Sequence, residues 1–207
     1  MLPLVVAGIF AVQTPAAAPP PSPPPPVQTE ADEYTRYELL APGTGRFRIT
    51  YEVTATTPGA TVYFNPIRKG STATNEAVYD RFTGRPLPFT LVPGREAKMG
   101  GLPTADTDTQ YIQVKLPRPV PPGGEVRLLI DKTYQDLKSY AVEAQDIVFT
   151  RSLGIKRNAV VLPAGYELVA CNVPAQVRTE PDGRLVVSFI NAMPTEAPVV
   201  IRGRRRP

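Results

Sequence analysis

Arg46-Phe47-Arg48-Ile49-Thr50-Tyr51-Glu52-Val53-Thr54 is the stretch that decides the fold. Every second residue is apolar, and the residues between are charged or hydroxylated. This period of two puts Phe47, Ile49, Tyr51 and Val53 on one face of an extended strand and the polar set on the other. One dry face and one wet face mark an antiparallel sheet that covers a core on a single side.

The pattern continues outward in both directions. A short strand at 61–64 follows Pro58-Gly59, a pair suited to the centre of a type II turn. Residues 87–92 form a strand that its prolines confine to an edge. Residues 111–116 alternate again, Pro121-Pro122-Gly123-Gly124 turns the chain, and 125–134 follows with Val126, Leu128 and Ile130 on one face. Further strands are predicted at 146–150, 159–162 and 166–171. Strands at 176–179 and 184–190 flank Pro181-Asp182-Gly183, a hairpin loop with glycine in the left-handed position. A last strand at 198–201 closes the set. A 3.6-residue period is missing throughout, although 134–142 has the composition for a short helix.

About ten short strands without intervening helices predict an all-β fold, an antiparallel β-sandwich spanning 39–203. The core expected from the strand faces includes Phe47, Ile49, Tyr51, Val114, Leu128, Ile130, Val187 and Phe189. About 170 residues are enough to bury such a core without disulfides or metal.

The ends have a different composition. Residues 2–12 are an apolar run, followed by Ala16-Ala17-Ala18, the small-x-small form that signal peptidase cuts. We read 1–18 as a signal peptide, or as a membrane tether where it is retained. Many of the 26 prolines crowd into Pro19-Pro20-Pro21-Ser22-Pro23-Pro24-Pro25-Pro26. Proline fixes φ and has no amide hydrogen, so this run favours polyproline II. It predicts a disordered N-terminal extension, with 19–38 as a spacer. The protein is thus expected to be exported, periplasmic or extracellular.

The chain has one cysteine, Cys171, so no internal disulfide is possible and no disulfide partner is expected. It has no histidine, which removes the commonest general base and metal ligand together. The net charge is +4, but Arg202, Arg204, Arg205 and Arg206 account for all of it. The sequence therefore gives a basic tail at 204–207 and no nucleic-acid face.

Pro119-Val120-Pro121-Pro122-Gly123-Gly124-Glu125-Val126-Arg127-Leu128-Leu129-Ile130 resembles a stretch in the leading, non-catalytic β-sandwich of the zinc aminopeptidases. There too a proline–glycine–glutamate turn introduces a strand. The resemblance implies a fold. The catalytic part of that family has a His-Glu-x-x-His helix, which a chain without histidine cannot supply. The chain as a whole also resembles uncharacterised exported bacterial proteins.

Leu168-Val169-Ala170-Cys171 matches the lipobox of bacterial lipoproteins, but it lies inside a predicted strand, where Cys171 reads as a small buried hydrophobe. Asp106-Thr107-Asp108-Thr109-Gln110 starts like a calcium loop yet lacks the glycine and glutamate that complete one. No metal and no cofactor are predicted, and no residue is assigned a catalytic role. The candidate binding residues are in two basic turns, Arg68 and Lys69 in one, Arg151, Lys156 and Arg157 around the other. Converging at one end of a sandwich, they would hold a phosphate or carboxylate. Separate, they are ordinary solvated turns.

The sequence thus favours a non-enzymatic envelope domain, a binding or assembly module on a spacer whose partner is an unknown envelope protein. An accessory domain for an anionic glycan or lipid surface comes second and an enzyme third. Protein recovered from the envelope is expected to begin near Pro19, and intact-mass measurement checks this. Retained Met1 in a soluble cytoplasmic form would overturn export.

Overall fold

The computed structural model describes residues 32–207. The stretch read as a signal peptide and the proline run lie outside these residues. The described chain forms fourteen strands and one short helix. The strands are β1 (Tyr34–Leu39), β2 (Arg46–Ala55), β3 (Val62–Pro66), β4 (Thr72–Asp80) and β5 (Phe89–Pro93). The helix α1 (Gly94–Met99) precedes β6 (Gln110–Lys115), β7 (Val126–Gln135), β8 (Tyr140–Glu143) and β9 (Asp146–Leu153). The last five are β10 (Arg157–Val161), β11 (Tyr166–Cys171), β12 (Gln176–Thr179), β13 (Leu185–Ile190) and β14 (Ala197–Arg205).

They build three sheets. The largest runs β12-β13-β10-β1-β2-β7-β4, a second runs β11-β14-β9-β8, and a third runs β3-β6-β5. All pairings are antiparallel except β1 with β10, which is parallel. The proline-containing β5 is an edge strand, where a missing N–H breaks no ladder.

The seven-stranded and four-stranded sheets meet through aromatic rings. Phe149 of β9 lies edge-on to Phe47 of β2, with centroids 5.7 Å apart, and 5.4 Å from Tyr37 of β1. Tyr134 of β7 packs edge-on to Phe47 at 6.0 Å. All eight residues expected in the core are buried. Ile112 and Val114 bring the three-stranded sheet into the same cluster, while Tyr111 turns the other way, onto Ala97 of α1. Gly94 opens α1 where a Cβ would stand 1.8 Å from the Asp106 carbonyl oxygen, so only glycine fits.

Four expectations need correction. Strand β1 lies within the stretch read as spacer, so the folded unit begins before residue 39. Its prolines end at Pro26, and from Tyr34 the chain alternates, burying Thr35, Tyr37 and Leu39 between β10 and β2. Residues 134–142 form no helix. Asp136 accepts hydrogen bonds from the backbone N–H of Lys138 (3.0 Å) and Ser139 (3.2 Å), which folds a turn between β7 and β8.

The basic tail is not free either. Strand β14 runs to Arg205 between β11 and β9, with Arg202 on Glu143 (2.8 Å) and Arg204 on Asp146 (2.7 Å). Asp146 on the adjacent β9 and Glu143 at the end of β8, one strand further, give these arginines a place in the sheet. Cys171 is half-buried against the core margin, less enclosed than expected.

Leu128 and Ile130 are fully buried in β7, which joins β2 to β4. Leu128→Ala should lower stability by roughly 2–5 kcal/mol. In chemical denaturation the midpoint should fall with little change in slope. An unchanged midpoint would show that the strand face is not the core face.

Candidate functional site

The dry face of β7 does not end at Ile130. The same parity carries Lys132 and Tyr134 inward, opposite Ile49 and Phe47 of β2. In β9 the inward set is Ile147, Phe149, Arg151 and Leu153. Each of the two facing sheets thus puts one cation on its core side. A third, Arg68, comes from the loop after β3. The three line a cleft of about 380 Å³ whose other walls include Tyr51, Tyr63 and Ile155.

Arg151 is 6% exposed. Its Nη1 donates to Ser139 Oγ (3.1 Å) and lies 3.5 Å from Asp136 Oδ2. Its guanidinium sits over the rings of Phe47 and Tyr134, both at 5.4 Å, and Tyr37 at 6.0 Å. Burial lowers its pKa, and Arg68 adds to the effect, but a guanidinium stays charged in proteins. Burial also raises the Tyr37 hydroxyl to about 12. At Asp136 burial opposes ionisation, yet hydrogen bonds from Ser139, Lys138 and Ser71 outweigh it and hold the carboxyl below its ordinary range.

Lys132 is 4% exposed. Its Nζ donates to Asn65 Oδ1 (2.5 Å) and to the Pro66 carbonyl (3.4 Å), and lies 5.1 Å from the Tyr134 ring centre. Burial, then repulsion from Arg151, pushes its pKa down to about 7, with only Glu76 acting the other way. Arg68 Nη1 donates to the Ser152 carbonyl (3.0 Å), and its backbone N–H donates to Tyr134 Oη (3.1 Å). Tyr51 donates to Glu33. Thr35 Oγ1, also on the cleft wall, is buried without a hydrogen-bond partner.

Of the five residues expected to bind, the structure brings Arg68 and Arg151 together. Lys69 turns away onto Asp106 (3.2 Å) and Asp108 (3.6 Å), so the calcium-like loop is its ion-pair partner. Lys156 and Arg157 border separate hollows, one with Glu33 and Asn191, the other with Tyr34 and Ile190. The convergence of all five is therefore corrected to two. Sequence reading missed Lys132, although extending the Val126-Leu128-Ile130 parity by one step reaches it.

No family model and no curated protein matches this chain. Solved structures do. One is an M1 zinc metallopeptidase from Deinococcus radiodurans, at TM-score 0.52 and 13% identity, covering 83% of this chain and 41% of that one. A point mutant of that metallopeptidase matches at TM-score 0.50 and 14% identity, over the same shares. The chain spans about two fifths of their length. At such identity the likeness is one of fold, and it agrees with the resemblance of residues 119–130 to the leading β domain of the zinc aminopeptidases.

The lowered pKa of Lys132 has a stability consequence. Between about 7 and the ordinary 10.5 the unfolded chain binds the proton that the folded chain has lost. Stability should therefore rise with pH across that window, by at most ~1.4 kcal/mol per unit, and the penalty is complete below it. Lys132→Met should be the more stable protein at pH 6, with the gap closing towards pH 10. A constant gap in urea denaturation across this range would overturn the assignment.

Proposed function

We propose that this chain is a non-enzymatic binding domain of the cell envelope, and that its ligand puts an anionic group into the cleft between Arg68, Lys132 and Arg151. The observation that carries this reading is the convergence of three cations on one cleft. Two nearly buried cations and a third at the margin share one walled space. Asp136 is the carboxylate ion-paired there, and Glu196 stands exposed at the rim. Buried charge is costly unless it is paired, so such a cluster favours an incoming anion. Arginine supplies a planar fork for carboxylate or phosphate and lysine a point charge, so the set suits either.

The reading as a domain spread on an anionic glycan or lipid surface has less support. Lys69, Arg202 and Arg204 are exposed, but each already has a carboxylate within 3.2 Å. A discrete group reaching inward fits better than a charged plane. The apolar run at 2–12 and the proline run at 19–26 support a place in the envelope, and the fold likeness to part of a larger peptidase supports an accessory role. The lack of any histidine supports binding over turnover.

Inorganic phosphate should raise the melting temperature, while chloride at equal ionic strength should not. A ligand at a hundred times its Kd stabilises by ~2.7 kcal/mol. Arg68→Ala removes an exposed side chain, so it should fold normally and lose most of that response. Equal stabilisation of both proteins would sink the cleft as the site.

A further inference from the structure

We infer that Lys132 captures a small 2-oxo acid as a reversible Schiff base, with Arg151 and Arg68 holding its carboxylate. This rests on the anion-binding reading and adds a covalent step to it.

The geometry at Nζ carries the inference. Its two hydrogen-bond acceptors, Asn65 Oδ1 and the Pro66 carbonyl, are both neutral. Two acceptors satisfy the two hydrogens of a free amine and leave its lone pair unused, whereas an ammonium has a third hydrogen to place. The remaining close neighbour is the ring of Tyr134. The charged and titratable groups around Nζ come from several elements: Arg151 of β9, Arg68 after β3, Glu76 of β4, and Tyr134 and Tyr51 beside it. Beyond these, Asp136 is ion-paired to Arg151, Glu196 stands on the cleft lining and Glu33 accepts from Tyr51. A lysine enclosed in apolar walls beside a second cation is the arrangement that makes an amine nucleophilic near neutral pH. The cleft of about 380 Å³ is large enough for a compact ligand. Thr35 Oγ1 offers an unused hydroxyl for one of its oxygens.

The step balances without an oxidant or a metal. The Nζ lone pair attacks the ketone carbon, and a C–N bond forms as the carbonyl opens to a carbinolamine. The carbinolamine oxygen then leaves as water, taking up both amine hydrogens, and a C=N bond remains. Water reverses the sequence. The arginine forks act on the carboxylate, setting the ketone carbon against Nζ, and the product is bound acid rather than a new compound.

The test uses the full chain with pyruvate as probe and sodium cyanoborohydride to fix the imine, followed by peptide mapping. At pH 7 an ordinary lysine is deprotonated in about one molecule in 10³ and Lys132 in about half, so its labelling should exceed that of exposed lysines by tenfold or more. Labelling should increase from pH 5.5 to 8, fall when phosphate is added, and vanish in Lys132→Arg. Even labelling of all lysines, or an unlabelled Lys132 in wild-type protein that is stabilised by phosphate, overturns covalent capture and leaves the anion site standing. No phosphate response and no label overturns both. Mapping the wild-type protein decides the matter even where the variant folds poorly.

Discussion

The period of two along β7 is the constraint on which the rest depends. Val126, Leu128 and Ile130 must face the core, because along this part of β7 one side is dry and the other only half-buried. Once they do, Lys132 and Tyr134 have no freedom to face water, since each Cβ alternates with its neighbour. β2 meets β7 over its full length, fixing Lys132 against Ile49 and Tyr134 against Phe47. The rings of Tyr37, Phe47, Tyr134 and Phe149 then form the joint between the two sheets, and Arg151 from the opposite sheet rests on three of them. A slip of one residue in β7 would expose Leu128 and Ile130 while removing Lys132 from the cleft. The register that makes the core therefore also makes the site.

The wet face treats charge differently. Arg36 bonds Glu38 (2.8 Å) and Glu180 (2.7 Å), and Arg184 closes the same group through Glu38, Glu180 and Asp182. Strand β1 is tied there to the turn between β12 and β13 by two bases and three acids. Hydrogen bonding to Arg36 outweighs partial burial and keeps Glu180 below its ordinary pKa. Each exposed pair in such a group is worth only ~0–1 kcal/mol, so the network trims solubility and register more than it holds the fold. In the interior cluster the same charges cost more because water is excluded.

How much of this was legible in the sequence follows from the same contrast. The strand faces were readable because alternation is local, and Phe47, Leu128 and Val187 were placed correctly by it. The division into three sheets was not, because pairing β1 with β10 joins residues more than a hundred positions apart. The end of the folded unit was misread at both termini. Composition drew the eye to prolines and arginines, while β1 and β14 owe their places to partners elsewhere in the chain. At the site, Arg68 and Arg151 stood out as basic turns. Lys132 did not, since it followed three apolar residues and looked like the polar end of a strand. Lys69, Lys156 and Arg157 looked equivalent to Arg68 by charge alone, and only the fold separates them.

A lysine at position 132 is not what packing asks for. A methionine there would fill similar volume, and replacing buried ionic groups with apolar ones often leaves a protein as stable or more so. The cost is bounded, because Asn65 and the Pro66 carbonyl take up its hydrogens. Arg151 adds to the cost by repulsion, yet it too has a partial remedy in Ser139 and Asp136. Two such groups facing one another across the joint of two sheets raise each other's cost, so stability alone gives no reason for the pair. The cost has a counterpart only when something negatively charged enters the space between them. At that point burial changes from a penalty into an advantage, because the same low dielectric that weakens the empty site strengthens every bond to the ligand.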